Sequence, residues 1–321
     1  MAGKRVTVQG IFAADLTFRA TGIPGWGETL LGDHFQVGPG GKGSNQAIAA
    51  ARLGAEVVFI TKLGRDMFGE LARRTYAAEG VSDRHIHESS DHTTGAAAIV
   101  VDAVRGENAI VVVPGASDAL TLAEVESAAS DIAASSVFLT QFELKLPVVE
   151  RGIRIAAERG VKVILNPAPA VTVATPIYAS VDYLTPNESE ARLLSGLPVD
   201  SLAEAARAAD FFLAHGARNV LITLGARGVL VKNAQLCEHV PAVEAGPVVD
   251  TTGAGDAFNA GFAVALAEGA DLISATRFGC AVAGVAVTRF GTAPAMPRRE
   301  EVETLLGGRR SLEHRSEDPC G

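Results

Sequence analysis

Only three cysteines occur in the 321 residues, Cys237, Cys280 and Cys320, and none shares a C-x-x-C spacing. So odd and scattered a set supports neither a disulfide framework nor a zinc site and reads as incidental thiols. Basic residues are scarce as well: 28 lysines and arginines face 37 aspartates and glutamates, a formal charge of −9. That balance excludes a nucleic-acid partner, because neutralising a phosphate backbone takes clustered cations. Apolar runs long enough to cross a membrane are missing, and the opening MAGKRVTVQG has no secretory core. The expectation is a cytoplasmic protein with no membrane partner. Among the histidines, His85-x-His87 comes nearest to metal-ligand spacing, and it reads as a solvated loop pair.

What is present is core material. Hydrophobic residues reach 48% against 20% charged, so disorder is excluded and one large α/β domain with a small appendage is expected. Short Val- and Ile-rich runs at Val57 to Thr61, Val161 to Leu165, Tyr183 to Thr185 and Val220 to Thr223 alternate with helical spacing at Ser44 to Leu53, Leu122 to Ala134, Val148 to Glu158 and Ser201 to His215. Such alternation predicts a mostly parallel sheet with helices on both faces. Asp15 to Gln36 and Gly95 to Val113 break the rhythm with strand runs that have no helix between them, which predicts a small antiparallel sheet, a lid, from about 12–37 and 95–113. The main domain is placed at 1–306, and 307–321, polar and glycine-containing, reads as a tail.

Four runs carry chemistry. In DTTGAGD, Asp250 to Asp256, a strand is expected to end at Val249 and a helix to start near Gly255. Backbone N–H groups of the turn then converge at the positive end of a helix, where a transferring phosphoryl group is stabilised and Asp256 can accept a proton from an attacking hydroxyl. GPGGKGSNQ, Gly38 to Gln46, also enters a helix; it fails as a Walker loop because Gly43 follows the lysine and Gln36 stands where a glycine is required. Its glycines let a ligand approach the backbone, and the Asn45 amide can bond a polyol. In TPNESE, Asn187 and Glu190 share a face at a helix start, where they serve either a hydrated Mg²⁺ or the cap of the helix itself. LITLGARG, Leu221 to Gly228, is a strand leaving into a glycine-flanked turn, either a nucleotide-binding edge or a plain turn.

Together these runs, with Gly10 to Asp15, Asn166 to Ala170 and VTRFGTAP, resemble the ribokinase-like (PfkB) family of carbohydrate kinases over roughly residues 5–305. The resemblance implies a three-layer sandwich with a β lid that doubles as a homodimer surface, and transfer of the γ-phosphoryl of ATP to a primary sugar hydroxyl. By family likeness Asp15, Gly41, Lys42, Gly43, Asn45 and Glu143 line the sugar pocket, Asp256 is the base, and Gly253, Ala254 and Gly255 form the anion hole. Asn187, Thr223, Gly225, Ala226, Arg227, Gly228 and Gly255 fall to ATP and Glu190 to Mg²⁺. Cys280 matches a position near the adenine, though it also reads as a packed core thiol. K⁺ would lie at Asp250, Thr252, Ala286, Arg289, Gly291 and Ala295, the last replacing a serine of some relatives.

One departure bears on the substrate. Ala13 stands where the pattern carries asparagine, two positions before Asp15, and Phe12 and Phe18 are expected to add apolar bulk nearby. Losing an amide that bonds a hydroxyl changes discrimination strongly, which points away from simple D-ribose toward a deoxy, keto or otherwise altered pentose. Fructose, a keto-deoxy sugar acid, a nucleoside, or a non-catalytic sugar sensor are the alternatives.

Overall fold

The computed structural model describes residues 4–104, 108–171 and 175–309. In chain order the strands are β1 (Arg5–Gln9), β2 (Ala13–Ala20), β3 (His34–Gly40), β4 (Glu56–Gly64), β5 (Ile86–Ser89), β6 (Thr94–Asp102) and β7 (Asn108–Gly115). They continue with β8 (Val137–Gln141), β9 (Lys162–Asn166), β10 (Tyr183–Leu184), β11 (Asn219–Thr223), β12 (Val229–Lys232) and β13 (Cys237–Val240). The helices are α1 (Lys42–Arg52), α2 (Met67–Glu79), α3 (Leu122–Ser127), α4 (Ala129–Ala133) and α5 (Leu146–Glu158). After them come α6 (Glu188–Ser195), α7 (Leu202–Ala214), α8 (Ala254–Ala267), α9 (Leu272–Ala286) and α10 (Arg299–Arg309).

Nine strands form the main sheet in the order β13-β12-β11-β10-β9-β8-β1-β4-β5, parallel except at β12 and β13. Its strands are apolar on both faces, as a sheet covered twice must be. Val137, Leu139, Ile164 and Leu221 point into a core shared with α1, α8 and α9, whereas Phe138, Val163, Leu165, Val220 and Ile222 point into one shared with α5 and α7. α8 lies against α1, α9 and the sheet, so Asp256 through Leu266 are all buried. Its approach to α9 needs glycine: a Cβ at Gly261 would lie 2.6 Å from Val282.

The small sheet, ordered β3-β2-β6-β7, departs from expectation at its centre, where β2 and β6 run parallel. The chain leaves after β3, passes through α1, β4, α2 and β5, and returns in the direction of β2; only the outer pairs are antiparallel. Part of the expected polar turn around Arg105 to Asn108 lies outside the described residues.

Other expectations are corrected. Leu122 to Ala134 divides into α3 and α4 at Ala128. No strand forms at Val248 and Val249, which are exposed in an extended approach to α8 and lack neighbouring strands to pair with. α10 carries on past Leu306 to Arg309, and 310–321 lie outside the described residues. Cys280 is a buried free thiol. Among the described residues no helix is long and apolar enough to cross a membrane.

Candidate active site

Asp256 is the third residue of α8, behind an N-cap at Gly253 whose φ of 76° suits a residue without Cβ. A first-turn position surrounds a carboxylate with N–H groups that no helix can satisfy internally. Its side chain is 4% exposed and held at both ends: Asn45 Nδ2 donates to Oδ2 at 2.9 Å and Gln46 Nε2 to Oδ1 at 3.0 Å. Burial drives its pKa above the ordinary aspartate value, against the lowering pull of the Lys42 ammonium and the two amides. Of the expected anion-hole residues, Ala254 spends its N–H on Thr251 O at 3.2 Å, while a Cβ at Gly255 would meet nothing within 4 Å. The approach at Gly255 is therefore open.

α1 begins at Lys42 because Gly41, at φ 87°, turns the chain out of β3. The expectation that these glycines clear space for a ligand is refined by what a Cβ would meet. At Gly41 it would lie 2.8 Å from Ile11 O, at Gly43 2.6 Å from Gly10 Cα, and at Gly40 it would overlap the Asp15 carboxylate. They admit other parts of the protein, and this is how Asp15, the start of α1 and the end of β1 come together.

Asp15 accepts from Thr292 Oγ1 at 3.0 Å, and burial raises its pKa to about 6, with the Asp256 charge adding to the shift. Glu143 Oε2 accepts from the Lys42 N–H at 2.9 Å; burial raises its pKa to about 7, the Lys42 charge pulling the other way. Lys42 is held above its usual range first by Asp256, then by Glu143 and Glu190. One ammonium thus serves three carboxyl groups. Asn45 is 3% exposed and its Oδ1 has no partner, an orphaned acceptor beside Asp256.

The Asn187 and Glu190 pair is a reciprocal cap: Glu190 N donates to Asn187 Oδ1 at 2.8 Å and Asn187 N to Glu190 Oε2 at 2.9 Å. Glu190 is also 9% exposed with its pKa raised, by burial first. Thr223 N donates to Pro186 O at 2.9 Å, joining this cap to the 223–228 turn, which closes through Leu224 N to Gly228 O at 2.7 Å. Gly225 opens on space, but Arg227 is tied to Glu188 and to Asp200 O. Cys280 is 6% exposed, with burial raising its thiol pKa to about 12.

Asp250 clamps two loops, accepting from Thr252 N and Oγ1 at 2.9 and 2.6 Å and from Gly291 N at 3.0 Å. Arg289 turns its guanidinium to Glu301, the Ala286 carbonyl accepts from Arg289 N at 3.1 Å, and Ala295 N donates to Thr292 O at 3.0 Å. Phe12 and Phe18 do not crowd the sugar side: Phe12 is buried edge-on to Tyr76, and Phe18 lies on Phe35 on the opposite face of β2 from Ala13 and Asp15. Sequence assigns no role to Gln141, Asn166, Asn259 or Thr292. Gln9, Gln141 and Asn166 each close a strand of mostly apolar residues with an amide, a signal that could have found them.

The model of the pfkB family carbohydrate kinases matches residues 4–299. The chain belongs to that family. This ATP-dependent carbohydrate kinase is 41% identical to the ribokinase of Haemophilus influenzae over 305 residues, 94% of this chain and 98% of that protein. It is 33% identical to the deoxyribokinase of Salmonella typhi, over 94% of this chain and 98% of that one. A solved structure of Arabidopsis thaliana ribokinase complexed with ribose and ATP superposes with a TM-score of 0.89 at 30% identity, covering 95% of this kinase and 99% of that chain.

Proposed function

We propose that this kinase transfers the γ-phosphoryl group of ATP to a primary hydroxyl of a pentose, with Asp256 as general base. The supporting observation is the Asp256 carboxylate itself: buried in the first turn of α8, raised in basicity by that burial, and adjacent to the unpartnered Asn45 Oδ1. Asp15, Asn45, Glu143 and the Gly41 to Gly43 backbone hold the sugar. Asp256 removes the hydroxyl proton as the new O–P bond forms and the bond from the γ-phosphorus to the bridging oxygen breaks, releasing ADP. The charge spread over the transferring group is met at the open approach by the Gly255 N–H end of the turn and by Lys42.

The nucleotide falls to Asn187 and to Thr223 through Gly228, with Gly225 open to it. Three carboxyl groups around one ammonium repel a triphosphate, which favours a divalent cation. Among the described residues no three His, Cys, Asp or Glu are placed to hold a metal ion together, so Mg²⁺ near Glu190 would take its remaining ligands from phosphate and water. Around Asp250 the side-chain oxygens already accept N–H and O–H groups, leaving the backbone carbonyls of the K⁺ set to suit a monovalent ion. Such an ion supplies positive charge beside the anion hole. The outer face of the small sheet, with Phe18, Phe35, Val37, Val111 and Val113 exposed, supports a homodimer.

Ala13 favours a second reading of the substrate. Its methyl is 1% exposed on the Asp15 face of β2, so the pocket offers no amide there and suits a pentose modified at one hydroxyl better than D-ribose. The test is sugar-dependent ADP release across a panel of ribose, deoxyribose, fructose, keto-deoxy acids and nucleosides, in K⁺ and in Na⁺. Asp256→Asn should lower kcat at least about a hundredfold on the best sugar. A rate within about tenfold of wild type would refute the base, and absence of ADP release with every sugar would leave the sensor reading.

A further inference from the structure

We propose that Gln46 is a positioning residue for Asp256, with its amide locked in one orientation by Gln141 and Asn166. This rests on the general-base reading. Two groups at the ends of the network can only accept: the Asp256 carboxylate and the Thr185 carbonyl. Asn166 Nδ2 donates to Thr185 O at 3.1 Å, which leaves its Oδ1 to accept from Gln46 Nε2 at 3.3 Å. Gln46 Nε2 gives its other hydrogen to Asp256 Oδ1 at 3.0 Å, and Gln46 Oε1 accepts from Gln141 Nε2. The Gln141 Oε1 lies close against Gly10 and has no hydrogen-bond partner, so what Gln141 contributes is the N–H it donates to Gln46.

All of these side chains are buried: Gln46 at 0%, Gln141 at 1%, Asn166 at 6% and Asp256 at 4% exposure. Turning the Gln46 amide over would face oxygen to carboxylate and nitrogen to nitrogen, with no water to compensate. The arrangement therefore favours the ionised form of Asp256, because a proton on Oδ1 would meet an N–H donor. It acts with Lys42 from α1, and against burial and the like charges of Asp15 on β2, Glu143 after β8 and Glu190 on α6. Gln46 also fixes the carboxylate plane, leaving Oδ2 beside Asn45 for the hydroxyl.

The test is kcat against pH at saturating sugar and ATP for Gln46→Glu and Gln46→Met, with thermal unfolding and ATP-binding calorimetry to establish that each is folded. Removing the N–H donor raises the pKa of Asp256, so the acid limb should move up by about one pH unit in Gln46→Met and further in Gln46→Glu. Sugar KM should stay within about threefold of wild type, whereas kcat at pH 6.5 drops by about tenfold or more, the split expected of a group acting on the base alone. Should Gln46→Glu fail to fold, Gln46→Met decides. An acid limb at the wild-type position in folded Gln46→Met overturns the inference. Asp256→Asn in the same series separates the two ideas: if it loses at least about a hundredfold while the Gln46 limb stays put, only the positioning role fails; if it keeps its rate, the base assignment fails.

Discussion

Replacing Glu143 by glutamine should stabilise the sugar-free protein and impair it as an enzyme. Burial lifts the Glu143 carboxyl from an ordinary value near 4.5 to about 7, so above pH 7 the folded state holds a charge it would rather shed. The sign follows from linkage: a raised acid contributes stability in full below pH 4.5 and loses it as pH rises through 7. At about 1.4 kcal/mol per pH unit the cost reaches about 3.5 kcal/mol, and partial exposure reduces it to roughly 2 kcal/mol. Glutamine keeps an oxygen to accept the Lys42 N–H and carries no charge. Scanning calorimetry without ligands should then give a Tm for Glu143→Gln about 4 °C above wild type at pH 8.5, and a gain of about 1 °C or less at pH 5. Sugar KM should rise about tenfold or more, because a carboxylate acceptor for a hydroxyl has been lost. A Tm at pH 8.5 equal to or below wild type would refute the reasoning, since Glu143 would then be comfortably ionised where it stands.

Gly40→Ala should raise sugar KM about tenfold with a smaller loss of kcat, because the added methyl displaces the Asp15 carboxylate; unchanged kinetics would show that Asp15 is not held there. Ala13→Asn should shift the ratio of kcat/KM toward D-ribose by about tenfold or more over the sugar wild type prefers, read on the same panel; an unaltered ratio would exclude Ala13 from selecting substrate. Val111→Glu places a charge in the exposed apolar face of the small sheet and should give monomers by light scattering at micromolar concentration, whereas an unchanged mass would move the dimer contact elsewhere.

The alternation of apolar runs was enough to read the layered sheet, because helices covering both faces leave strands with no polar side. DTTGAGD and GPGGKGSNQ were legible for a local reason: glycines at fixed offsets before a helix declare a turn wherever they sit. Asp15 and Glu143 carry no local pattern and came from the family resemblance alone. Gln141 and the role of Asn166 are hidden from a sequence reading because strand register, which no short window contains, brings them beside Gln46. The rise and fall of the chain between sheets was equally hidden, so β2 and β6 were expected to be antiparallel; their parallel pairing follows from the units between them. Phe18 does not reach the sugar side because odd and even positions of β2 face opposite ways, and only the register decides which face meets the sugar.

That parallel pairing has a further consequence, in the order of assembly. β2 and β6 lie on either side of a long stretch that includes two strands of the main sheet, and their register cannot be tested until β4 has found β1 and β5 has found β4. The small sheet is thus a late arrival in folding, built from distant contacts that cost loop entropy before they give anything back. Asp15 rides on it. Sugar recognition is therefore completed last, after Asp256, seated within the packed helices, already has its place.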